Sequence, residues 1–183
     1  MKNLTKKITG LLLLSTAAFL ATGCQKEETQ TGQMTVRMTT KAHTDPTEYD
    51  AVNIDIEQVQ AHYDGGKNWV NLATYHGIYN LLDLTDGTPA SLVVEEEMPV
   101  GHITQIRIIL GSHNTVEVDG TAYELELSSQ DITGLKINVQ TDVDADETLE
   151  IFFNFDADKS IVVTGSGDFR LKPILQLGSV QSL

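Results

Sequence analysis

The carboxylates carry the most obvious chemical potential in this chain. Asp142, Asp144 and Asp146, followed by Glu147, form an Asp-x-Asp-x-Asp run whose oxygens would suit a hard cation such as calcium. An EF-hand loop needs Gly at its sixth position and Glu at its twelfth, and counted from Asp142 those positions hold Glu147 and Phe153. Strands rather than helices are expected on either side, so a solvated hairpin turn is the favoured reading and weak cation binding the lesser one. Asp156 and Lys159 could position a ligand, although a carboxylate at a strand end more often caps a turn or pairs locally. Glu95-Glu96-Glu97 reads as a wet surface run.

The five histidines do not assemble a metal site on paper. His102 and His113 bracket a strand rising ~3.3 Å per residue, too far apart to share an ion within one chain. His62 falls opposite Trp69 across a turn, and His43 and His76 sit in expected loops. No Ser-His-Asp set, nucleophilic Cys or Gly-rich phosphate loop emerges, and Gly165-Ser166-Gly167 precedes a strand instead of a helix. The expectation is therefore a protein without cofactor that is not an enzyme.

The elements that must position these groups follow from composition and periodicity. With 183 residues the chain has the length of one domain. Its 40 % hydrophobic and 21 % charged content is too apolar for disorder. Twelve basic against 26 acidic residues give a net charge of −14, which speaks against nucleic acid as a partner. Apolar residues recur with period two: Met34, Val36 and Met38; Val52, Ile54 and Ile56; then Val59, Ala61 and Tyr63 on the opposite parity. That slip predicts a β-bulge near Glu57-Gln58.

Turn residues divide these rows into strands. Asp64-Gly65-Gly66-Lys67 is a turn that returns as Trp69 to Leu72, and Asp119-Gly120 is the turn of a hairpin from Asn114 to Leu127. Its register places 118 opposite 121 and 116 opposite 123, with Val116, Val118, Tyr123, Leu125 and Leu127 on one buried face. Leu149, Ile151, Phe153 and Phe155 form another inward row, as do Phe169, Leu171, Pro173, Leu175 and Leu177. Thr88 and Pro89 could open one short helix running to about Glu97. About eight or nine strands with at most one short helix predict an all-β chain folded as an antiparallel β-sandwich.

The N-terminus reads as an address. Lys2, Lys6 and Lys7 precede a largely apolar stretch from Ile8 to Leu20, which fits a signal-peptide core and falls short of the ~20 residues that span a bilayer. Leu20-Ala21-Thr22-Gly23-Cys24 resembles the bacterial lipobox, and Cys24, the only cysteine of the chain, is the expected lipid-attachment residue. Gln25, Lys26, Glu27 and Glu28 look like the acidic export tag of some Gram-negative surface lipoproteins. The expected organisation is a signal peptide at 1–23, a flexible tether at 24–33 and a sandwich domain at 34–183. Cleavage before Cys24 removes three lysines and no acid, leaving 160 residues with a charge of −17. Such a charge is repelled by anionic head groups, so the lipid must do the anchoring.

Four stretches resemble one family: Tyr49-Asp50-Ala51-Val52-Asn53-Ile54, Leu81-Leu82-Asp83-Leu84-Thr85-Asp86-Gly87, Met98-Pro99-Val100-Gly101-His102-Ile103-Thr104-Gln105-Ile106-Arg107, and Phe155-Asp156-Ala157-Asp158-Lys159-Ser160-Ile161-Val162. Together with Gly167-Asp168-Phe169-Arg170-Leu171-Lys172-Pro173 they look like the domain-of-unknown-function family numbered 4382, from about Met34 to Leu177. Members often carry Tyr after the Pro-x-Gly turn, where this chain has His102. The resemblance implies a transthyretin-like sandwich on exported bacterial lipoproteins and no established activity.

The expected function is that of a non-enzymatic binding module, lipid-anchored in the outer membrane, facing the cell exterior and meeting an extracellular protein or glycan. One alternative is a fimbria-like assembly subunit, which would require proteolysis near its first strand at Arg37 or Lys41. Another is a cation-stabilised periplasmic accessory protein.

Overall fold

A computed structural model describes residues 30–41, 49–64, 66, 68–84 and 88–183. The stretch expected as a signal peptide, Cys24, the stretch expected as an export tag from Gln25 to Glu28, and His43 lie outside the described residues. In chain order the strands are β1 (Thr31–Thr40), β2 (Ala51–Tyr63), β3 (Val70–Asn71), β4 (Gly77–Asn80), β5 (Ala90–Pro99), β6 (Gly101–Leu110) and β7 (Thr115–Val118). They continue as β8 (Thr121–Glu124), β9 (Glu126–Leu127), β10 (Leu135–Val143), β11 (Thr148–Phe155), β12 (Ile161–Val163), β13 (Phe169–Leu171) and β14 (Leu175–Ser182). One four-residue helix, α1 (Ala157–Ser160), and two 3₁₀ turns, Leu81–Asp83 and Asp131–Thr133, complete the described elements.

The molecule is an all-β sandwich. One layer is a four-stranded sheet in the order β14-β11-β1-β5; the other runs β10-β6-β2-β7-β8, with β3 and β4 also paired to β2. A small third sheet, β12-β13-β9, sits at one end. Met34, Val36 and Met38 of β1 and Ile151, Phe153 and Phe155 of β11 are wholly buried, as are Ile54, Ile56, Val59 and Ala61 of β2 in the facing layer. Each such aliphatic or aromatic side chain removed from water contributes about 1.5–3 kcal/mol, which makes the period-two rows the driving force of the fold.

Several local expectations hold. The register of β2 against β6 slips between Ile56 and Gln58, which is the bulge that the change of parity predicts. In the β7–β8 hairpin Val118 pairs with Thr121 and Val116 with Tyr123. Asp119 and Gly120 both have positive φ, 49° and 71°, as a type I′ turn requires. His62 lies opposite Trp69, their ring centroids 5.1 Å apart.

Others are corrected. The segment expected to be helical from Thr88 is strand β5, hydrogen-bonded to β1. The local capping signal loses to long-range pairing of Val93 and Met98 with β1 and to the burial of Leu92 beside them. Within β5, Glu95 adopts φ 47° and donates its N–H to Thr35 Oγ1 at 3.1 Å, so the acidic run sits on an irregular edge. The row from Phe169 to Leu177 divides at Pro173, with β13 in the small sheet and β14 in the four-stranded one. A prolyl nitrogen has no hydrogen to continue a ladder.

Tyr123 is 42 % exposed instead of buried, because β8 is the outermost strand of its layer. The strand number exceeds eight or nine through two- to four-residue pieces too short to show periodicity. The pairing is not wholly antiparallel, since β1 runs parallel to β11 and β13 parallel to β9. Finally, β1 begins at Thr31, so the last three residues of the stretch expected as tether pair within the sheet.

Candidate functional site

β1 gives the sandwich two distinguishable ends: it starts at the lower end with Thr31 and finishes at the upper end with Thr40. Main-chain hydrogen bonds close the lower end. Val100 N–H donates to Gln30 O at 3.1 Å, Gln33 N–H to Glu147 O at 2.8 Å, and Asp146 N–H to Thr31 O at 3.0 Å. The turn carrying Asp144, Asp146 and Glu147 is therefore here, but it is not a hairpin. β10 and β11, which it joins, belong to different layers, so it is a corner between sheets. Asp146 has φ 61°. Asp146, Glu147 and Glu97 border a polar depression of about 430 Å³ over Gly32.

Asp142 is engaged elsewhere. The β10–β6 register sets it opposite His102, and its Oδ1 lies 2.7 Å from His102 Nδ1. Gln140 has φ 49° beside a register shift of β10, and its Oε1 lies 3.2 Å from His102 Nε2 while its Nε2 donates to Thr104 O at 3.1 Å. Both imidazole nitrogens thus face acceptors, which only the imidazolium satisfies with two donors. The hydrogen bond to Asp142 and then that to Gln140 hold the His102 pKa above its ordinary value against an opposing desolvation, with the charges of Asp142 and Asp64 adding to the rise. Among the described residues no group of three or more His, Cys, Asp or Glu side chains could hold a metal ion.

Asp156 and Lys159 meet at the upper end. Asp156 Oδ1 accepts from Lys159 N–H at 3.2 Å and caps α1, while its Oδ2 accepts from Lys159 Nζ at 3.0 Å, with Lys41 Nζ at 4.0 Å. Burial alone would push the Asp156 carboxyl up. The two hydrogen bonds from Lys159 and the charges of Lys159 and Lys41 outweigh it and hold the pKa below the usual value. Ser160 Oγ donates to Asp156 O at 2.6 Å and accepts from Ile174 N–H at 2.9 Å, so this motif ties the end of β11 to the approach of β14. The geometry is that of a cap and a brace.

The larger openings lie around the segment from Tyr123 to Leu127, where three adjoining clefts share Glu126. The first, about 460 Å³, has a floor of Leu110, Leu125, Leu127 and Ile132. Its rim carries Glu57, Glu124 and Glu126. The bulge in β2 is what brings Glu57 out to this rim. Buried Asn114 fixes the wall: its Nδ2 donates to Gly111 O at 2.8 Å, its Oδ1 accepts from Asp55 N–H at 2.9 Å, and its carbonyl accepts from Leu125 N–H at 2.8 Å. A Cβ at Gly111 would lie 2.2 Å from Asp55 Oδ2, so a larger residue there would require the Asp55 carboxylate to move.

The second cleft, about 440 Å³, is bordered by Tyr123 and Phe169, whose rings lie 5.0 Å apart, and by Asp168 and Arg170. The third, about 480 Å³, includes Asp131, Val162, Arg170 and Lys172. None of these clefts is visible in the sequence as a motif. The only signal was the change of parity at Glu57.

The chain matches the domain of unknown function DUF4382 over residues 31–173, from the first residue of β1 to the proline that separates β13 from β14. No curated protein and no solved structure matches it. The match covers most of the chain and both layers of the sandwich, and the chain belongs to the DUF4382 family.

Proposed function

We propose that this chain is a non-enzymatic binding module, held by lipid at Cys24 in the outer membrane of a Gram-negative cell and displayed to the exterior. The observation that carries the reading is the spacing between the lipobox cysteine and the fold. Seven positions separate Cys24 from Thr31, a stretch that reaches at most about 25 Å. The lower end of the sandwich is therefore tethered near the anchor, and β1 carries the chain about 30 Å farther, at ~3.4 Å per residue, to the upper end. The clefts around Tyr123–Leu127 then lie away from the lipid, where an extracellular protein or glycan would meet them. A net charge of −17 on the cleaved chain favours lipid anchoring over adsorption to anionic head groups.

The fimbria-like alternative asks for cleavage at Arg37 or Lys41 and exchange of β1. β1 is paired on both sides, with β11 and β5, and Arg37 lies mid-strand with Nε 2.6 Å from Glu150 Oε1 and its guanidinium over the Phe152 ring. That ion pair approaches off the N–H direction, so it is a charge contact more than an aligned hydrogen bond. Excising β1 would open both ladders at once, and the geometry supports display better than strand exchange.

Replacing Cys24 with Ala in the full chain is expected to shift the protein from the membrane to the soluble fraction, and protease added to intact cells is expected to remove the wild-type domain. Membrane retention of Cys24→Ala would overturn the anchor. Protection of the domain until the outer membrane is opened would place it in the periplasm.

A further inference from the structure

The geometry points to the first cleft as a receptor for a lysine or arginine side chain presented by an extracellular protein partner. This rests on the binding-module reading above and names its ligand chemistry. Glu57, Glu124 and Glu126 have no ion-pair partner among the described residues. Arg170 and Lys172, the basic residues of this region, border the neighbouring clefts and not this one.

Beneath the three carboxylates the floor is aliphatic: Leu110 and Leu125 are buried, Leu127 is half-buried, and Ile132 is 58 % exposed. A cation alone would be served by the carboxylates, and an apolar ligand by the floor. A long basic side chain uses both, with its methylene stem on Ile132 and the open part of Leu127 and its charged head at the glutamates. The complementarity extends beyond the cleft, because a chain of charge −14 attracts basic partners from a distance and repels acidic ones. A sugar ring would instead seek the aromatic faces of Tyr123 and Phe169, which border the second cleft.

The test is a nuclear magnetic resonance titration of the purified full chain at about pH 5, where both side-chain amines are protonated, with two capped pentapeptides, Ala-Ala-Lys-Ala-Ala and its counterpart with 2,3-diaminopropionate in place of lysine. The stems differ by three methylenes, so the lysine peptide should bind at least about fivefold more tightly. The perturbed amides should centre on Gly111 and residues 124–127. Ile132→Ser should reduce the preference for the lysine peptide, and Glu57→Gln with Glu124→Gln should weaken both peptides.

Equal affinities, shifts centred on the turn at 144–147, or no shifts at about 10 mM peptide would each overturn the proposal. Stronger perturbation of the same cleft by neutral maltotriose, insensitive to salt, would assign it to a glycan instead. Because the titration uses purified protein, its failure leaves the anchor and its orientation standing, and a failed anchor leaves the cleft chemistry standing.

Discussion

Both ends of the sandwich are acidic, yet they are built differently. At the lower end Glu97, Asp146 and Glu147 surround a depression lined by Thr31, Gly32 and Gln33, and main-chain hydrogen bonds close it. At the upper end Glu57, Glu124 and Glu126 stand around half-buried Leu127 and exposed Ile132, over the buried Leu110 and Leu125. Charge over backbone is a solvated surface, whereas charge beside exposed aliphatic surface leaves hydrophobic free energy for a ligand to collect. The comparison separates two acidic regions that look alike in composition.

The core they share sets the scale for any attempt to break this contrast. Phe153 is wholly buried between β1 and β14, and Phe153→Ala should cost about 3–5 kcal/mol in denaturant unfolding. A loss under about 1 kcal/mol would mean that the β11 row faces outward. The two ends should then respond unequally. A Cβ at Gly32 would come within 2.2 Å of Asp144 O, a main-chain atom, so Gly32→Ala should destabilise by about 1–3 kcal/mol. Ile132→Ser at the upper end should change stability by less than about 0.5 kcal/mol. Equal losses at both sites would erase the distinction between a closed end and an open one.

How much of this was legible in the sequence follows from the range of each signal. The rows of β1, β2 and β11 and the Asp119-Gly120 hairpin could be read because alternation and a two-residue turn are local. β5 reads as a helix because Thr88-Pro89 is also a local signal, and only pairing with β1, some 60 residues away, overrules it. The corner at 144–147 reads as a hairpin because sequence shows two strands and a turn but not that β11 takes β1 as its neighbour. The cleft was invisible for a related reason. Ile56 pairing with Leu110 and Val116 with Tyr123 are the contacts that bring Glu57, Leu110 and Glu124 into one place, and each glutamate alone reads as a solvated strand residue.

Smaller effects come from the two charged pairs. At the upper end Asp156→Ala removes the cap of α1 and should cost about 1 kcal/mol at neutral pH. The folded-state pKa of Asp156 is depressed, so its contribution is full above the ordinary carboxylate value and disappears as the pH falls through the lowered one. The gap between wild type and Asp156→Ala should therefore close in strong acid, and a gap that persists there would rule out the ion pair as its source. At the lower end the sign is opposite. The His102 pKa is raised, so the contribution is full below about 6.5 and is lost as the pH rises through the folded value. Melting of His102→Gln should approach that of wild type at pH 9 and fall below it at about pH 5.5.

The smallest expected effect concerns calcium, and it tests the lower end directly. Divalent ions should stabilise a chain of charge −14 slightly by screening, as sodium chloride does at matched ionic strength. A calcium-specific gain needs several oxygens converging on one point. Asp142 is drawn instead to His102 across the β10–β6 ladder, and Glu147 stands where a calcium loop would place glycine. The main chain of Asp146 and Glu147 is committed to β1. Thermal unfolding of the full chain in calcium, magnesium and sodium chloride should therefore give coincident curves, at pH 6 where His102 favours its charged form and at pH 8.5 where it is closer to neutral. A rise of several degrees confined to calcium, larger at pH 8.5 and abolished by Asp142→Asn with Asp144→Asn, would show that His102 gates a cation site. The lower end would then no longer be a mere solvated surface.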